Sequence, residues 1–510
     1  MNKRKRMSSF RPVRENQEII PSTDFLTLND DCLYKIFDWL SLEELTCVNM
    51  TCKRLQTVSG VYFEREYQLL KLTITRPNYG EHIKYKPDEE QFPYVKQFKR
   101  HFKTVQLEGG NIRLFRHAAM LFQNKSIKHL YLNDFSVNIE EWKAYGLRVS
   151  YGIQYGEIIK DILKNVVTLQ TNVIDADNLH DIFLKHCLHL ENLIINRNGT
   201  DGFSNTLPLF NQTYPTLRQF LIKISPEASE KLWVDLQRFI ENNTSLEVLF
   251  YFEQGKQCRN LIPLIQNHDL KVKELALRLF PAIFDCEEAK MLLNENCEIL
   301  SALKDKNNYE KLQLIIGNKQ VLLSAPHMLQ SLKNLHKVYM IPEKMYIEYD
   351  QSWKEYLCDQ SISILSTLVH TETLLIKKLK RPTHAEILAK GLVNLNEIFI
   401  HSENIEVILP FVRYSPKLTM IYIFVLYEQY LYPQENPNNL NVTTLIRERN
   451  KLSNATPLKI YVHRHLFLKM KRPATFFTND TVEIKRIESY SLRNPAILDS
   501  IIGAGYAGFY

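Results

Sequence analysis

One arrangement of apolar positions recurs along the chain: L-x-x-L-x-L, in which Ile, Val or Phe often replaces Leu. The copies at residues 190–195, 246–251, 395–400 and 418–423 are the clearest. The middle apolar residues of thirteen copies lie at positions 105, 130, 169, 193, 220, 249, 275, 312, 338, 374, 398, 421 and 460. Eight of the twelve gaps between them measure 23 to 29 residues, a period at which a short strand and a returning helix alternate.

Alternating apolar residues place one row of side chains on the inner face of each strand. Residues after several strands, such as 230–241, carry apolar positions three to four apart and predict a helix. One strand–helix unit cannot bury its apolar face alone, so successive units stack into a continuous core. The pattern is typical of leucine-rich repeats and predicts a curved α/β solenoid over residues 101–490, with parallel strands on the concave face and helices outside. A set of unrelated amphipathic strand–helix units is the alternative.

The residue between the last two apolar positions of each copy is expected to project from the concave face. This predicted row is rich in aromatic residues, and it passes from Gln313 in one copy to Tyr339 in the next. Aromatic side chains are favoured anchors for protein partners, so we predict that Phe250, Tyr339, Phe399 and Tyr422 bind a protein substrate. The alternative is that these rings cover one another, or that the C-terminal tail covers them.

Residues 21–66 carry a different pattern, which predicts three short helices. Asn29 or Asp30 is suited to cap the first helix. The sequence Ser41-Leu42-Glu43-Glu44 is a capping box, which starts a second helix. Helices this short cannot build an adequate core alone, so some of their apolar side chains must pack on the solenoid or on another protein.

This segment resembles the F-box. The matching features are Leu28, the run Ile36-Phe37-Asp38-Trp39-Leu40, the pair Glu44-Leu45, and the ending of residues 48–54. The chain has Asn29 and Leu55 where the family usually has Pro and Trp. The resemblance implies that the helices bind the Skp-type adaptor of a cullin ubiquitin ligase, through Leu28, Leu33, Ile36, Phe37, Leu40, Leu45 and Val48. An unrelated helical unit that caps the solenoid is the alternative.

Charge and composition complete the predicted domain organisation. The formal net charge of the 510 residues is +7, and residues 1–18 contribute +4 of it, from six basic and two acidic side chains. We therefore expect a disordered basic tail at 1–20, which is also compatible with a nuclear-import signal, and a nearly neutral folded body for which nucleic-acid binding is disfavoured. Residues 67–100 are predicted as a connector and 491–510 as a C-terminal tail.

Apolar runs and cysteines indicate the cellular location. No run of about 18 apolar residues occurs, so we expect no membrane-spanning helix. No apolar segment of a secretory signal follows the N-terminal basic residues. The eight cysteines form no C-x-x-C pair, which favours reduced thiols. The expected location is therefore cytoplasmic, nuclear or both.

Motifs that suggest chemistry are few. Residues 503–508 match G-x-G-x-x-G, but no helix and no later acidic residue follow them, so a dinucleotide site is not expected. The group His186-Cys187-x-His189 has the wrong spacing for a closed zinc site. The pair His463-x-His465 is interpreted in the same way. We expect no cofactor, no metal ion and no catalytic residues.

These patterns favour one function over two others. The leading hypothesis is a non-catalytic substrate receptor of an SCF-type ubiquitin ligase, which binds the Skp-type adaptor, through it the cullin, and a protein substrate that the sequence does not identify. An interaction scaffold with a degenerate F-box is the main alternative. An RNA-binding solenoid is a third, disfavoured by the nearly neutral body.

Overall fold

The computed structural model describes most of the helices and strands and the shorter connections between them. The described residues are 25–67, 71–75, 84–86, 97–98, 100–109, 114, 127–133, 149–150, 153–171, 179–196, 208–224, 230–253, 262, 266, 272–279, 287–304, 309–317, 319–340, 357–376, 379, 381–401, 405–424, 442–463 and 481–487. The tails predicted at 1–20 and 491–510, with the glycine motif at 503–508, lie outside these residues, as does His465.

One open sheet organises the described part of the chain. Its strands follow one another in chain order except at the N-terminal edge, where β1 lies between β3 and β2, and a short strand pair is separate from it. Fifteen neighbouring strands run parallel, and β2 pairs antiparallel at one edge. The strands of this sheet are Lys71–Thr75 (β1), Lys84–Lys86 (β2), Thr104–Glu108 (β3), His129–Asn133 (β4), Thr168–Thr171 (β7), Asn192–Asn196 (β8), Gln219–Ile224 (β9), Val248–Glu253 (β10), Val272–Leu279 (β11), Tyr309–Ile316 (β12), Leu335–Met340 (β13), Thr373–Ile376 (β14), Glu397–His401 (β15), Met420–Phe424 (β16), Leu458–His463 (β17) and Val482–Ile487 (β18). The separate pair is Val149–Ser150 (β5) with Ile153–Gln154 (β6).

Helices precede the sheet and connect many of its strands. The described α-helices are Asp30–Phe37 (α1), Leu42–Asn49 (α2), Lys53–Glu66 (α3), Tyr155–Leu163 (α4), Leu179–Ile182 (α5), Glu230–Asn242 (α6), Glu287–Lys304 (α7), Lys319–Ser324 (α8), Pro326–Ser331 (α9), Asp359–Ser366 (α10), Pro382–Gly391 (α11), Ile405–Tyr414 (α12) and Val442–Asn450 (α13). Short 3-10 turns lie at Phe25–Thr27, Leu184–His186 and Pro208–Asn211.

Alternation along the strands divides the sheet into two faces. On one face, the repeated leucines and isoleucines pack with the apolar sides of the helices, as Ile421 and Ile423 do with the core that contains Val407 and Ile408. The other face carries a separate apolar cluster in which every buried member comes from a strand. We call it the helix-free face, because within the described residues no helix contributes a buried side chain to this cluster. The α/β fold and all thirteen predicted strands are confirmed, and the chain-order parallel sheet is compatible with a solenoid.

The sheet extends beyond the predicted repeats at its N-terminal end. Strand β1 lies inside the segment predicted as a connector, and it pairs in parallel with β3. Its alternation of buried Leu72 and Ile74 with partly exposed neighbours is the ordinary pattern of a strand. Leu69, Leu72 and Ile74 fit the six-residue repeat L-x-x-L-x-L, so the sequence carries a signal for this strand that the prediction missed. Strand β18, near the end of the predicted repeats, was not predicted either.

The register between two central strands corrects the predicted row of the concave face. Leu312 pairs with Leu335, but Gln313 pairs with Lys337, so His336 is an extra residue in β13. This β-bulge makes two residues of one strand oppose one residue of its neighbour. Beyond the bulge, Tyr339 pairs with Ile315 rather than with Gln313. The predicted row is correct on each side of the bulge and displaced by two residues across it.

The three N-terminal helices are fixed by their caps and by polar contacts. The Asn29 side chain accepts a hydrogen bond from the Cys32 amide at 2.8 Å and caps α1. The predicted capping box at α2 is confirmed, with Ser41 and Glu44 each accepting from the other's amide. Asn49 donates to the Ser59 hydroxyl at 2.9 Å and ties α2 to α3. These three helices, with the turn at Phe25–Thr27, are called the helical unit below.

Candidate partner-binding surfaces

The seven residues predicted to bind an adaptor divide into two groups in the structure. Leu33, Phe37 and Leu45 are fully buried within the chain. The Phe37 ring packs edge-on against Tyr62 of α3, with ring centroids 5.4 Å apart. These three side chains form the internal core of the helical unit, so they position its surface rather than line it. The partly buried members are Leu28, Ile36, Leu40 and Val48, and their contact with an adaptor stays a prediction.

The helical unit also exposes large apolar side chains that the sequence reasoning did not single out. Their exposed fractions are 39% for Phe25, 41% for Leu26, 48% for Trp39, 59% for Met50 and 49% for Val61. We call these five residues the exposed apolar set. Only Val61 lies inside an α-helix, whereas the other four lie in the turn before α1 or just after α1 or α2, where helical periodicity gives no signal.

Helix α3 joins the helical unit to the start of the sheet through aromatic rings. Phe63 stacks on Phe98 with centroids 4.4 Å apart and rings nearly parallel, and it meets Phe102 edge-on at 5.2 Å. Gly60 permits this close approach, because a Cβ there would lie 2.6 Å from Nε2 of His101. Phe63, Phe98 and Phe102 are buried. The helical unit is therefore packed directly onto the residues that lead into β3.

Charged side chains border this aromatic joint. The Glu64 carboxylate pairs with Lys103 and lies 3.5 Å from Nδ1 of His101. The hydrogen bond from Lys103 is the main reason that the pKa of Glu64 lies below its ordinary value. Because Glu64 belongs to α3 and Lys103 directly precedes β3, the ion pair fixes the same two elements that the rings join.

The predicted substrate-binding rings lie on the helix-free face. Tyr339, Phe399 and Tyr422 are only 5%, 4% and 4% exposed. Phe399 stacks on Tyr422 at 4.4 Å, and Tyr422 stacks on the partly exposed Tyr461 at 4.5 Å. The Phe250 side chain lies outside the described residues. The rings of Phe399, Tyr422 and Tyr461 thus cover one another, as the alternative interpretation expects, and contact of the predicted residues with a substrate stays a prediction.

A charged group accompanies the β-bulge on this face. Glu274 of β11 accepts a hydrogen bond from Lys337 at 2.8 Å, and its carboxylate lies 3.4 Å from Nε2 of His336. The other ring nitrogen of His336 lies 2.8 Å from the Leu312 carbonyl oxygen. Burial alone would raise the pKa of Glu274, but His336 and Lys337 outweigh it and hold that pKa at about 2. The bulge therefore aims two adjacent side chains at one carboxylate.

Neither a metal-binding group nor a membrane-spanning helix occurs in the described residues. No group of three or more His, Cys, Asp or Glu side chains there is arranged to hold a metal ion. Burial raises the pKa of the Cys187 thiol to about 12, and its sulfur lies 3.4 Å from the Phe183 carbonyl oxygen. Cys187 therefore has a packing role. Of the helices described, none combines the length and apolarity needed to cross a bilayer.

Comparison with known proteins adds a distant likeness to solved structures. No family model matches the chain, and no curated protein matches it. Among solved structures, the chain is similar to one titled "Crystal structure of Rad7 and Elc1 complex in yeast", with 14% identity over 80% of this chain and 97% of that chain. The TM-score is 0.38. A likeness this distant carries no functional argument, so function is inferred below from the surfaces of the chain itself.

Proposed function

We propose that this chain is the substrate-recognition subunit of an SCF-type cullin ubiquitin ligase. The helical unit binds the Skp-type adaptor and the repeat sheet binds the target protein. Such a subunit catalyses no reaction, because it neither breaks nor forms covalent bonds. It raises the effective concentration of the target near the ubiquitin-loaded enzyme that the cullin holds.

The exposed apolar set is the observation that carries the proposal. Five large apolar side chains stay in contact with water on a unit of three helices, although a small unit has little apolar surface to spare. Amphipathic helices of this kind dock into apolar grooves of a partner. In combination with the F-box resemblance, this display supports adaptor binding.

The two departures from the F-box pattern are accommodated in the fold. Asn29 stands where the family has proline, and it caps α1 through its side chain. Leu55 stands where the family has tryptophan, and it is buried in the core of the helical unit. Both substitutions therefore leave the three helices intact, so the surface around them remains available for the adaptor.

Co-purification of the full-length chain with the Skp-type adaptor and cullin tests the proposal. The variant Trp39→Asp/Met50→Asp places charges in the proposed interface, where an unpaired desolvated carboxylate costs several kcal/mol. We expect it to lose the adaptor while the fold is retained. Val393→Asp is the matched control, because Val393 is 54% exposed and belongs to the repeats. Retention of the adaptor by the double variant, or no binding by the parent chain, contradicts the proposal.

The same experiment separates the proposed receptor from a plain interaction scaffold. A receptor recruits both the adaptor and, through it, the cullin, so all three proteins elute together. A chain that captures the adaptor but never the cullin is a scaffold with a degenerate F-box. This outcome overturns the ligase assignment even if the exposed apolar set is the binding surface.

A further inference from the structure

A connected series of basic side chains crosses the last three described helices. Lys390 lies near the end of α11, Arg413 near the end of α12, and Arg447 and Lys451 lie at the end of α13. We call these four residues the basic strip. Their side chains are 56%, 40%, 67% and 61% exposed. The Tyr414 ring lies between two of them, with the Lys390 nitrogen 4.6 Å and the Arg413 guanidinium 5.9 Å from its centre.

The carboxylates beside the strip balance only part of its charge. Glu386 pairs with Lys390. Glu448, nearly buried, is 2.9 Å from Nε of Arg413, 2.7 Å from Nζ of Lys451 and 3.7 Å from Nε of Arg447. Four cations minus two carboxylates leave a surplus of +2 among these six described residues.

A buried arginine adds to the surplus. Arg449 is 1% exposed, and its guanidinium donates to the carbonyl oxygens of Ser415, Pro416, Leu418 and Thr456 at 2.7 to 3.0 Å. These acceptors carry no net charge, so they satisfy the hydrogen bonds of Arg449 without neutralising it. Burial lowers the pKa of Arg449 to about 10, which leaves the guanidinium charged at neutral pH. The local surplus therefore reaches +3.

Helix-end electrostatics explains part of this arrangement. A cation in the last turn stabilises the partial negative charge at a helix C-terminus, and one cation on each helix is enough for that. Helix α13 ends with three cations, Arg447, Arg449 and Lys451, around one carboxylate. This is more positive charge than the C-terminus of one helix requires. Glu448 holds Arg413 and Lys451 in place while leaving them partly exposed, which prepares them for an incoming anion.

We propose that the basic strip binds an anionic peptide segment of a partner protein, recognised through its carboxylates or phosphates. This site goes beyond the proposed function and does not depend on the adaptor. A peptide is favoured over single-stranded nucleic acid because base recognition without sequence preference uses exposed aromatic faces. The Tyr414 ring is half-buried, and Lys390 already lies over it.

Fluorescence anisotropy with the purified full-length chain tests this site. The probes are a short labelled peptide of alternating Glu and Ser, and the same peptide with its serines phosphorylated. Loss of two charge-assisted contacts in Arg447→Gln/Lys451→Gln is expected to weaken binding of the preferred probe by about tenfold or more. The matched control is Lys304→Gln/Lys333→Gln, which removes the same charge from two other exposed lysines and is expected to bind like the parent.

Three results overturn the assignment. They are an equal loss in both double variants, no binding of either peptide, or tighter binding of an unstructured RNA oligonucleotide that the Arg447→Gln/Lys451→Gln variant loses. If that double variant does not fold, Arg447→Gln alone serves, since Arg447 is the most exposed member of the strip and makes the longest of the three ion pairs with Glu448. Its affinity falls several-fold under the proposal, and an unchanged affinity contradicts it.

Discussion

The helical unit and the helix-free face use apolar side chains in opposite ways. Both are rich in aromatic or aliphatic residues, and both were predicted to contact partners. The helical unit leaves Trp39 and Met50 exposed, whereas the helix-free face stacks Phe399, Tyr422 and Tyr461 on one another. Apolar content alone therefore does not identify a binding surface. The deciding property is whether other side chains of the same chain already bury those apolar residues.

Geometry accounts for the difference between these regions. Neighbouring strands of a sheet lie about 4.8 Å apart, and Phe399, Tyr422 and Tyr461 occupy paired positions on three successive parallel strands. Their rings therefore meet face to face at almost the strand spacing. The helical unit has no such repeat. Its inner side is filled by Leu33 and Phe37, and nothing in its periodicity assigns the remaining apolar residues to a partner within the chain.

The largest expected effect on stability comes from the replacement of a stacked ring. Tyr422→Ala removes a buried side chain that lies between two other rings, and we expect a loss of about 3–5 kcal/mol in the free energy of unfolding. Trp39→Ala is the matched exposed change, and we expect it to alter that free energy by less than about 0.5 kcal/mol. Urea unfolding of the two variants measures both values. A small loss in the free energy of unfolding for Tyr422→Ala would contradict a packing role for the stacked rings and favour a role in binding a partner.

A smaller effect is expected on the folding stability at acidic pH. The pKa of Glu274 falls from 4.5 to about 2 in the folded chain, so its ion pairs contribute stability that is fully present above about pH 5. This contribution, on the order of 3 kcal/mol, is lost as the pH falls through 4 to about 2. Glu274→Gln should flatten that part of the stability–pH curve. Glu310→Gln, which removes an exposed carboxylate on the neighbouring strand, is the matched control for the substitution.

Much of the fold could be predicted because its signals are local. The alternation in each strand, the repeat period and the capping box at Ser41 each depend on a few adjacent residues. The register across β12 and β13 could not be predicted in this way. Both Leu312 and Leu314 fit the apolar pattern, and the extra residue His336 becomes visible only when the two strands are paired.

The candidate site was predicted less completely than the fold. The apolar spacing of α1 identified Leu33, Ile36 and Phe37 but not which of them point inward. Their placement depends on Tyr62, which lies on α3 beyond the recognised motif. The joint between Phe63 and Phe98 is likewise a contact between distant segments, and no short pattern reports it.

Hydrogen–deuterium exchange of the full-length chain, with and without saturating Skp-type adaptor, tests the central claim most directly. The account predicts slower exchange within residues 25–50 when the adaptor binds, and unchanged exchange in strands β13–β17. Protection that appears in the sheet and not in the helical unit, or no protection anywhere, would contradict it.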